Sequence, residues 1–374
     1  DPAWPSLDAP PAARVPLALS LDGRPAARLE RGARLDAVAP TVAELLGFHR
    51  PHPEVRSGEP LPVTRPVHRP RLVLLVAWKG VGTPDLLARP RAWPFLRRLV
   101  RGPGGTLRAE VGSLPLDPAA VLTTIGTGGL PSQHGITGTL LRNDRGGLAR
   151  AFGPGSPLPV IATLAEDLDA ALGERPLVGL AASDPSDRGL VGGDWYVEHD
   201  RDLVRIGPDP AGLGLRLLGR GFGDDGVPDI LGVTLSGSIR AMDRATARLA
   251  RAARARVGQG LLLVVTATGT TSPPAPGASA TGASPGVGAG RPGGAQPPIA
   301  AARLVREVED ALPAAEPVVL AAGVGGLFLD QRALARLGTS GDAVVRALRS
   351  LRGPGGPLVA DAFQGFAVSF ARYC

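Results

Sequence analysis

Six short apolar runs, bounded by turn residues and alternating with segments of helical period, constrain this chain more than any other feature. The runs are Arg71 to Ala77, Leu107 to Val111, Pro176 to Ala181, Asp229 to Leu235, Gly260 to Thr266 and Val318 to Ala322. Between them lie Thr83 to Val100, Pro159 to Leu172, Ile239 to Val257 and Ala301 to Leu312, which read as helices. A strand that is apolar on both faces has to be covered on both, and strands alternating with helices pair in parallel through crossover connections. The expected fold class is therefore α/β, an α/β/α sandwich with a largely parallel central sheet. Such sheets place ligand sites at the carboxyl ends of their strands.

Composition sets further bounds. At 374 residues and 44% hydrophobic the chain can bury a large core, but aromatics are only 4%, so Ala, Val and Leu must fill most of it. No apolar run reaches the ~18 to 20 residues needed to cross a bilayer. The net charge of +7 rests on 41 basic residues, all but one of them arginine. These arginines are spread along the chain without aromatic interleaving or a nucleic-acid-binding module, so nucleic acid is not the expected partner. An anionic small ligand or an acidic protein surface is compatible with the charge. The one cysteine, Cys374, excludes an internal disulfide and any Cys-based metal or redox centre. The one methionine is Met242, so Asp1 is not a translation start: either a signal or anchor segment has been removed or the sequence begins mid-protein. With the Pro-rich opening DPAWPSLDAPP, the expectation is a processed, extracytoplasmic or secreted protein.

The stretch 107 to 138, LRAEVGSLPLDPAAVLTTIGTGGLPSQHGITG, carries the clearest motif. A helix opens at Asp117-Pro118, runs to Thr127-Gly128, and is followed by Pro131-Ser132-Gln133-His134-Gly135-Ile136. Read from the residues alone, Asp117 is an N-cap and Pro118 the first helical position. The pattern resembles the alkaline phosphatase superfamily, and within it the type I phosphodiesterase and nucleotide pyrophosphatase group. That resemblance implies an alkaline-phosphatase-like fold and two divalent metals, usually zinc, held by Asp and His. It implies a Thr or Ser nucleophile at a helix N-terminus, where orphan N–H groups favour phosphoryl oxygens.

At each position where the resemblance implies such a group, this chain has something else. The nucleophile's place holds Pro118, and Asp117 is left as a cap or as a displaced carboxylate. The Asp expected after the first strand aligns with Lys79, which is either a loop lysine or a fixed positive charge standing in for a lost metal. In the second case its ammonium should lie within reach of Asp117 or of an anion near Pro118. The ligand loop expected after Leu235 is shortened to Ser236-Gly237-Ser238, and the Asp-His turn expected after Val265 reads Thr266-Ala267-Thr268-Gly269. The resemblance thus assigns no metal and no confident catalytic residue. It leaves a vestigial pocket of Lys79, Asp117, Pro118, His134, Ser236, Ser238, Thr268 and Gly269. His134 is expected to be structural, and His49, His52 and His68 to be surface or linker residues. His199, in Gly193 to Asp202, sits in the only cluster of potential ligands, but neighbours on an extended segment face opposite ways.

Four regions are expected. Residues 1–70 contain VPLALSL and RLDAVAPTVAELLGF, resembling elements that normally close the superfamily domain, with a short helix Thr41 to Leu46 and a Pro-rich connector from Arg50 to Pro70. Either a circular permutation or an upstream domain accounts for their place. Residues 71–270 form the core. Residues 271–298 are a flexible low-complexity loop, hard to reconcile with a rigid bimetal site beside it. Residues 299–374 hold a small subdomain, with strands at Gly325 to Leu329 and Phe366 to Phe370 and a helix Asp342 to Leu351. The function expected is a non-catalytic, pseudo-phosphodiesterase domain acting as an extracytoplasmic binding or assembly subunit, in a larger assembly with a protein partner or on an anionic small ligand. The alternative is a phosphoester or phosphodiester hydrolase with an atypical site.

Overall fold

The computed structural model describes residues 11–29, 32–64, 68–143, 145–192, 202–270, 301–312, 316–324, 326–353, 356–357, 359, 362 and 364. The opening residues, the His199 cluster, the 271–298 loop, the Phe366 to Phe370 strand and Cys374 lie outside them. The chain divides into two compact units between Thr271 and Ser272. No helix among the described residues is long and apolar enough to cross a membrane.

In chain order the first unit opens with β1 (Arg14–Leu21), β2 (Arg24–Pro25), β3 (Ala33–Arg34), α1 (Val38–Leu46) and β4 (Leu72–Trp78). It continues through α2 (Thr83–Ala88), α3 (Pro94–Val100), β5 (Gly105–Glu110), α4 (Pro118–Thr127) and α5 (Pro131–His134). Next come β6 (Leu140–Arg142), β7 (Leu148–Arg150), α6 (Leu164–Ala171), β8 (Val178–Ala182) and β9 (Leu203–Ile206). The unit ends with α7 (Pro210–Leu218), β10 (Asp229–Leu235), α8 (Ile239–Val257) and β11 (Leu261–Ala267).

The sheet runs β3-β5-β1-β11-β4-β10-β8-β9, with β2 on β1. β11, β4, β10, β8 and β9 are parallel, as the alternating pattern predicts. Every residue of β4, β10 and β11 is buried, which is the signature of strands covered on both faces. The VPLALSL run is β1, which sits inside the sheet, antiparallel to β5 and β11.

Three helices differ from the sequence reading. Helix α1 begins at Val38, three residues before Thr41. Thr83 to Val100 is broken between Ala88 and Pro94, because a proline removes a helical N–H and disfavours helix in the residue before it, and both Pro90 and Pro94 fall here. The Pro159 to Leu172 helix starts only at Leu164. There Thr163 caps Glu166 N and Glu166 returns a bond to Thr163 N, which fixes the start. The short strand β9 and helix α7 have no counterpart in that reading.

The second unit holds α9 (Ala301–Ala311), β12 (Val319–Gly323), β13 (Gly326–Leu329), α10 (Gln331–Arg336), α11 (Gly341–Ser350), β14 (Arg352–Gly353) and β15 (Gly356–Pro357). β12 and β13 form an antiparallel hairpin. Val308, Val318, Leu334 and Val344 make a small core of their own, and Glu309 accepts from Val318 N and Val319 N.

Candidate functional site

Register brings three of the sequence-selected positions to one level. Trp78, the last residue of β4, pairs with Leu235 of β10 on one side and Ala267 of β11 on the other. The residues that follow, Lys79, Ser236 and Thr268, therefore leave the sheet side by side. Backbone bonds tie the three exits together: Lys79 N donates to Leu235 O (2.8 Å), Thr268 N to Trp78 O (3.0 Å) and Gly269 N to Val81 O (3.1 Å). The Thr268 hydroxyl, fully buried, accepts from Gly80 N at 2.9 Å. That hydroxyl is committed to holding the turn after β4. Ser236 is exposed, and Ser238, also exposed, caps α8 by accepting from Ala241 N at 3.3 Å.

The Lys79 ammonium has a partner that the sequence reading missed. It donates to both oxygens of Asp187, at 2.7 and 3.0 Å. The expectation that it reaches Asp117 is corrected on this point. Asp187 lies on the 3-10 turn Pro185–Leu190 that follows the carboxyl end of β8, and Thr234 of β10 donates a further bond to it at 2.7 Å. Its carboxylate is wholly buried while the lysine side chain is 16% exposed. Burial pushes the Asp187 pKa up, and the Lys79 charge and the Thr234 hydroxyl oppose that rise. The signal available in the sequence was positional, since Asp187 also follows a strand of the parallel sheet.

Helix α4 packs against this turn along its length. A β-carbon on Gly126 would lie 2.1 Å from Gly189 O, and one on Gly189 would lie 2.0 Å from the Thr123 hydroxyl. Glycine at both positions lets the two backbones approach, and so sets where Asp187 sits.

The start of α4 is the cap that Asp117-Pro118 implies. Asp117 Oδ1 accepts from Ala119 N at 2.9 Å, and Pro118 occupies the first helical position. The same oxygen accepts from the Thr139 hydroxyl at 2.8 Å. Asp117 is buried. Leu116 packs 3.3 Å from where a β-carbon on Gly269 would lie, which places the helix entry beside the β11 exit.

His134 is fully buried in the same module. Its Nδ1 accepts from Ile136 N at 3.1 Å, which leaves Nε2 to carry the proton and donate to the Thr124 hydroxyl at 3.1 Å. Burial lowers its pKa to about 3. The segment from His134 to Thr139 thus grips α4 twice, through His134 near its middle and through Thr139 at its start.

A second charged cluster lies in the segment read as a Pro-rich connector. Arg50 and Arg56 both reach Asp167 of α6, at 2.7 and 3.2 Å, and their side chains are only 5% and 6% exposed. Both also donate to Thr127 O, at the carboxyl end of α4, and to Ala162 O. Two cations at that end complement the helix dipole. Burial lowers the Arg50 pKa to about 10 and raises that of Asp167, which the two guanidinium charges oppose. A cavity of about 460 Å³ opens between α1 and this connector, walled by Pro40, Ala43, Phe48 and Pro60. Of the connector histidines, His52 sits beside Glu54 (3.3 Å) and His68 beside Asp22 (3.0 Å), both exposed; His49 is exposed too.

Among the described residues no three His, Cys, Asp or Glu side chains gather as a metal site would require. No protein-family model matches this sequence, and no curated protein matches it. Among solved structures the chain is similar to wild-type alkaline phosphatase PafA, with a TM-score of 0.46 and 15% identity, over 76% of this chain and 77% of that one. A mutant of the same phosphatase is similar at a TM-score of 0.46 and 14% identity, with the same coverage.

Proposed function

We propose that this chain is a non-catalytic, alkaline-phosphatase-like domain that works outside the cytoplasm as a binding or assembly subunit, on a protein partner or an anionic small ligand. The observation that carries the reading is the ion pair of Lys79 with Asp187 at the carboxyl ends of the central strands. In the enzymes that the TTIGTG and HGITG motifs resemble, the position after the first strand supplies a carboxylate to a cation. Here it supplies an ammonium, and the carboxylate that this ammonium reaches, Asp187, is already paired with it.

The remaining groups support the same reading. A pair of divalent cations needs several deprotonated oxygen or neutral imidazole donors converging on one point. The described side chains at this edge do not fit that need: the Thr268 hydroxyl holds a turn and His134 is spent on Thr124 and Ile136. Pro118 has no nucleophilic atom, and the Asp117 carboxylate is occupied by the helix start. The test is metal analysis of the purified protein together with hydrolysis of nitrophenyl phosphate monoesters and diesters. Turnover no higher than a buffer blank is expected, with or without added zinc or manganese, and Pro118→Thr should not raise it, because one hydroxyl does not supply the metals that lower its pKa. Stoichiometric zinc, or turnover that a chelator abolishes, would overturn the proposal.

A further inference from the structure

The outward face of α8 carries a row of arginines that no carboxylate among the described residues pairs with. Arg240, Arg244, Arg248, Arg251 and Arg254 are all exposed. At about 100° per residue they fall within about 120° of one another, along roughly 21 Å of helix. Neighbours in the row are three or four residues apart, the spacing at which like charges oppose helix formation. The helix has one acidic residue, Asp243, and it is buried, accepting from Phe95 N and Leu96 N to cap α3. Other arginines of the chain do find partners: Arg150 pairs with Asp184, Arg256 with Asp224, and on α9 Arg303 pairs with Glu307 one turn on. Among the described residues Arg240, Arg244, Arg248 and Arg251 make no such pair, and Arg254 donates only to a backbone carbonyl, Asp22 O.

The basic surface continues past the end of the helix. The Arg254 guanidinium lies 3.6 Å from where a β-carbon on Gly23 would sit. Gly23, Arg24 and Arg98 together line one shallow cleft of about 120 Å³. The nearby Asp22 carboxylate is held by Gly260 N, Leu261 N and His68 and forms no ion pair with an arginine of the row.

We infer that this face docks on an anionic phospholipid surface. A row this long exceeds what one small anion can span, and guanidinium forks suit repeated phosphates. Apart from arginines, the residues of α8 that are not buried are Ala241, Ala245, Ala252 and Ala255. Such short side chains leave a smooth convex ridge that a flat bilayer can meet along its whole length. They offer no aromatic platform on which the bases of a single strand could stack. A basic face on an amphipathic helix is the arrangement that anionic headgroups attract, and the attraction is screened by salt.

Co-sedimentation of the full chain with vesicles tests this, using phosphatidylcholine alone and phosphatidylcholine mixed with phosphatidylglycerol. Binding should appear only with the anionic lipid and fall steeply with added salt. The combined variant Arg244→Gln, Arg248→Gln, Arg251→Gln should lower the partition by roughly a hundredfold, about fivefold for each arginine. The corresponding three Lys substitutions should keep most of the binding. Because all three side chains are exposed, the melting temperature of each variant should be no lower than that of the parent, which excludes misfolding as the cause. Equal binding to neutral vesicles, an undiminished glutamine variant, or binding to a DNA duplex without binding to anionic vesicles would each overturn the inference.

Discussion

Replacing Lys79 by methionine asks whether its ammonium is what holds Asp187 charged inside the protein. The substitution keeps most of the stem and removes two bonds, at 2.7 and 3.0 Å, leaving only the Thr234 hydroxyl on the carboxylate. A buried charge stripped of its partner costs several kcal/mol, about 3 to 5 in comparable cases. Protonation sets a ceiling on that cost. Holding neutral at pH 7 a carboxyl whose ordinary pKa is 3.8 costs about 1.4 kcal/mol per pH unit, or about 4.4 kcal/mol in all. Because the lysine side chain is 16% exposed, some water reaches the gap, and about 3 kcal/mol is expected at neutral pH.

The sign follows from the direction of the shift. Removing the ammonium raises the folded-state pKa of Asp187 further above its unfolded value. Stability is then retained below the unfolded pKa of 3.8 and lost as the pH rises. Urea denaturation should therefore give a difference between variant and parent of less than about 1 kcal/mol near pH 4.5, growing to about 3 kcal/mol at pH 7. Adding Asp187→Asn to Lys79→Met should restore much of the loss, because the stranded charge is gone. A loss below about 1 kcal/mol at pH 7, or one that does not change with pH, would refute the reasoning.

Three further outcomes follow from the site. Asp117→Ala removes the cap on Ala119 N and the acceptor of the Thr139 hydroxyl, and should cost about 1 to 2 kcal/mol by chemical denaturation, with Asp117→Ser costing less. Burial holds the His134 pKa at about 3, below the 6.5 of the free side chain. Its contribution is therefore complete above pH 6.5 and is lost as the pH falls towards 3, by up to about 1.4 kcal/mol per unit. His134→Gln should flatten the acid limb of a stability-against-pH curve by about one proton. Arg50→Met takes a donor from Thr127 O, Ala162 O and Asp167, and should cost about 3 kcal/mol or more. Limited proteolysis in the connector after Arg50 should become faster in the same variant.

Much of this architecture was legible because it depends on near neighbours. Continuous apolar runs such as Leu72–Trp78 and Asp229–Leu235 identify strands covered on both faces wherever they fall in a chain. Asp117 followed by Pro118 marks a helix start by local hydrogen bonding alone, and Gly128, with φ of 76°, marks its end. The resemblance singled out Lys79, Ser236 and Thr268, and their convergence was legible because residues that follow parallel strands emerge at one edge. In each case the deciding interactions lie within a few residues or follow from the sheet's regularity.

What the sequence left open is which distant groups meet. Nothing local to Lys79 names Asp187, because their contact depends on the order β4-β10-β8 and on the close approach that Gly126 and Gly189 allow. The place of β1 between β5 and β11, and its antiparallel sense, is equally absent from its own pattern, since a run buried on both faces reads the same in either direction. Arg50 and Arg56 looked like connector residues for the same reason: their burial comes from carbonyls and a carboxylate more than a hundred positions away, at Ala162 and Asp167, as well as from Thr127. Periodicity and capping are short-range and survive in isolation, so the sequence alone determined the elements and their ends. Pairing across the sheet, and the charge partners it creates, come from long-range closure and mutual burial, and only the tertiary structure decided them.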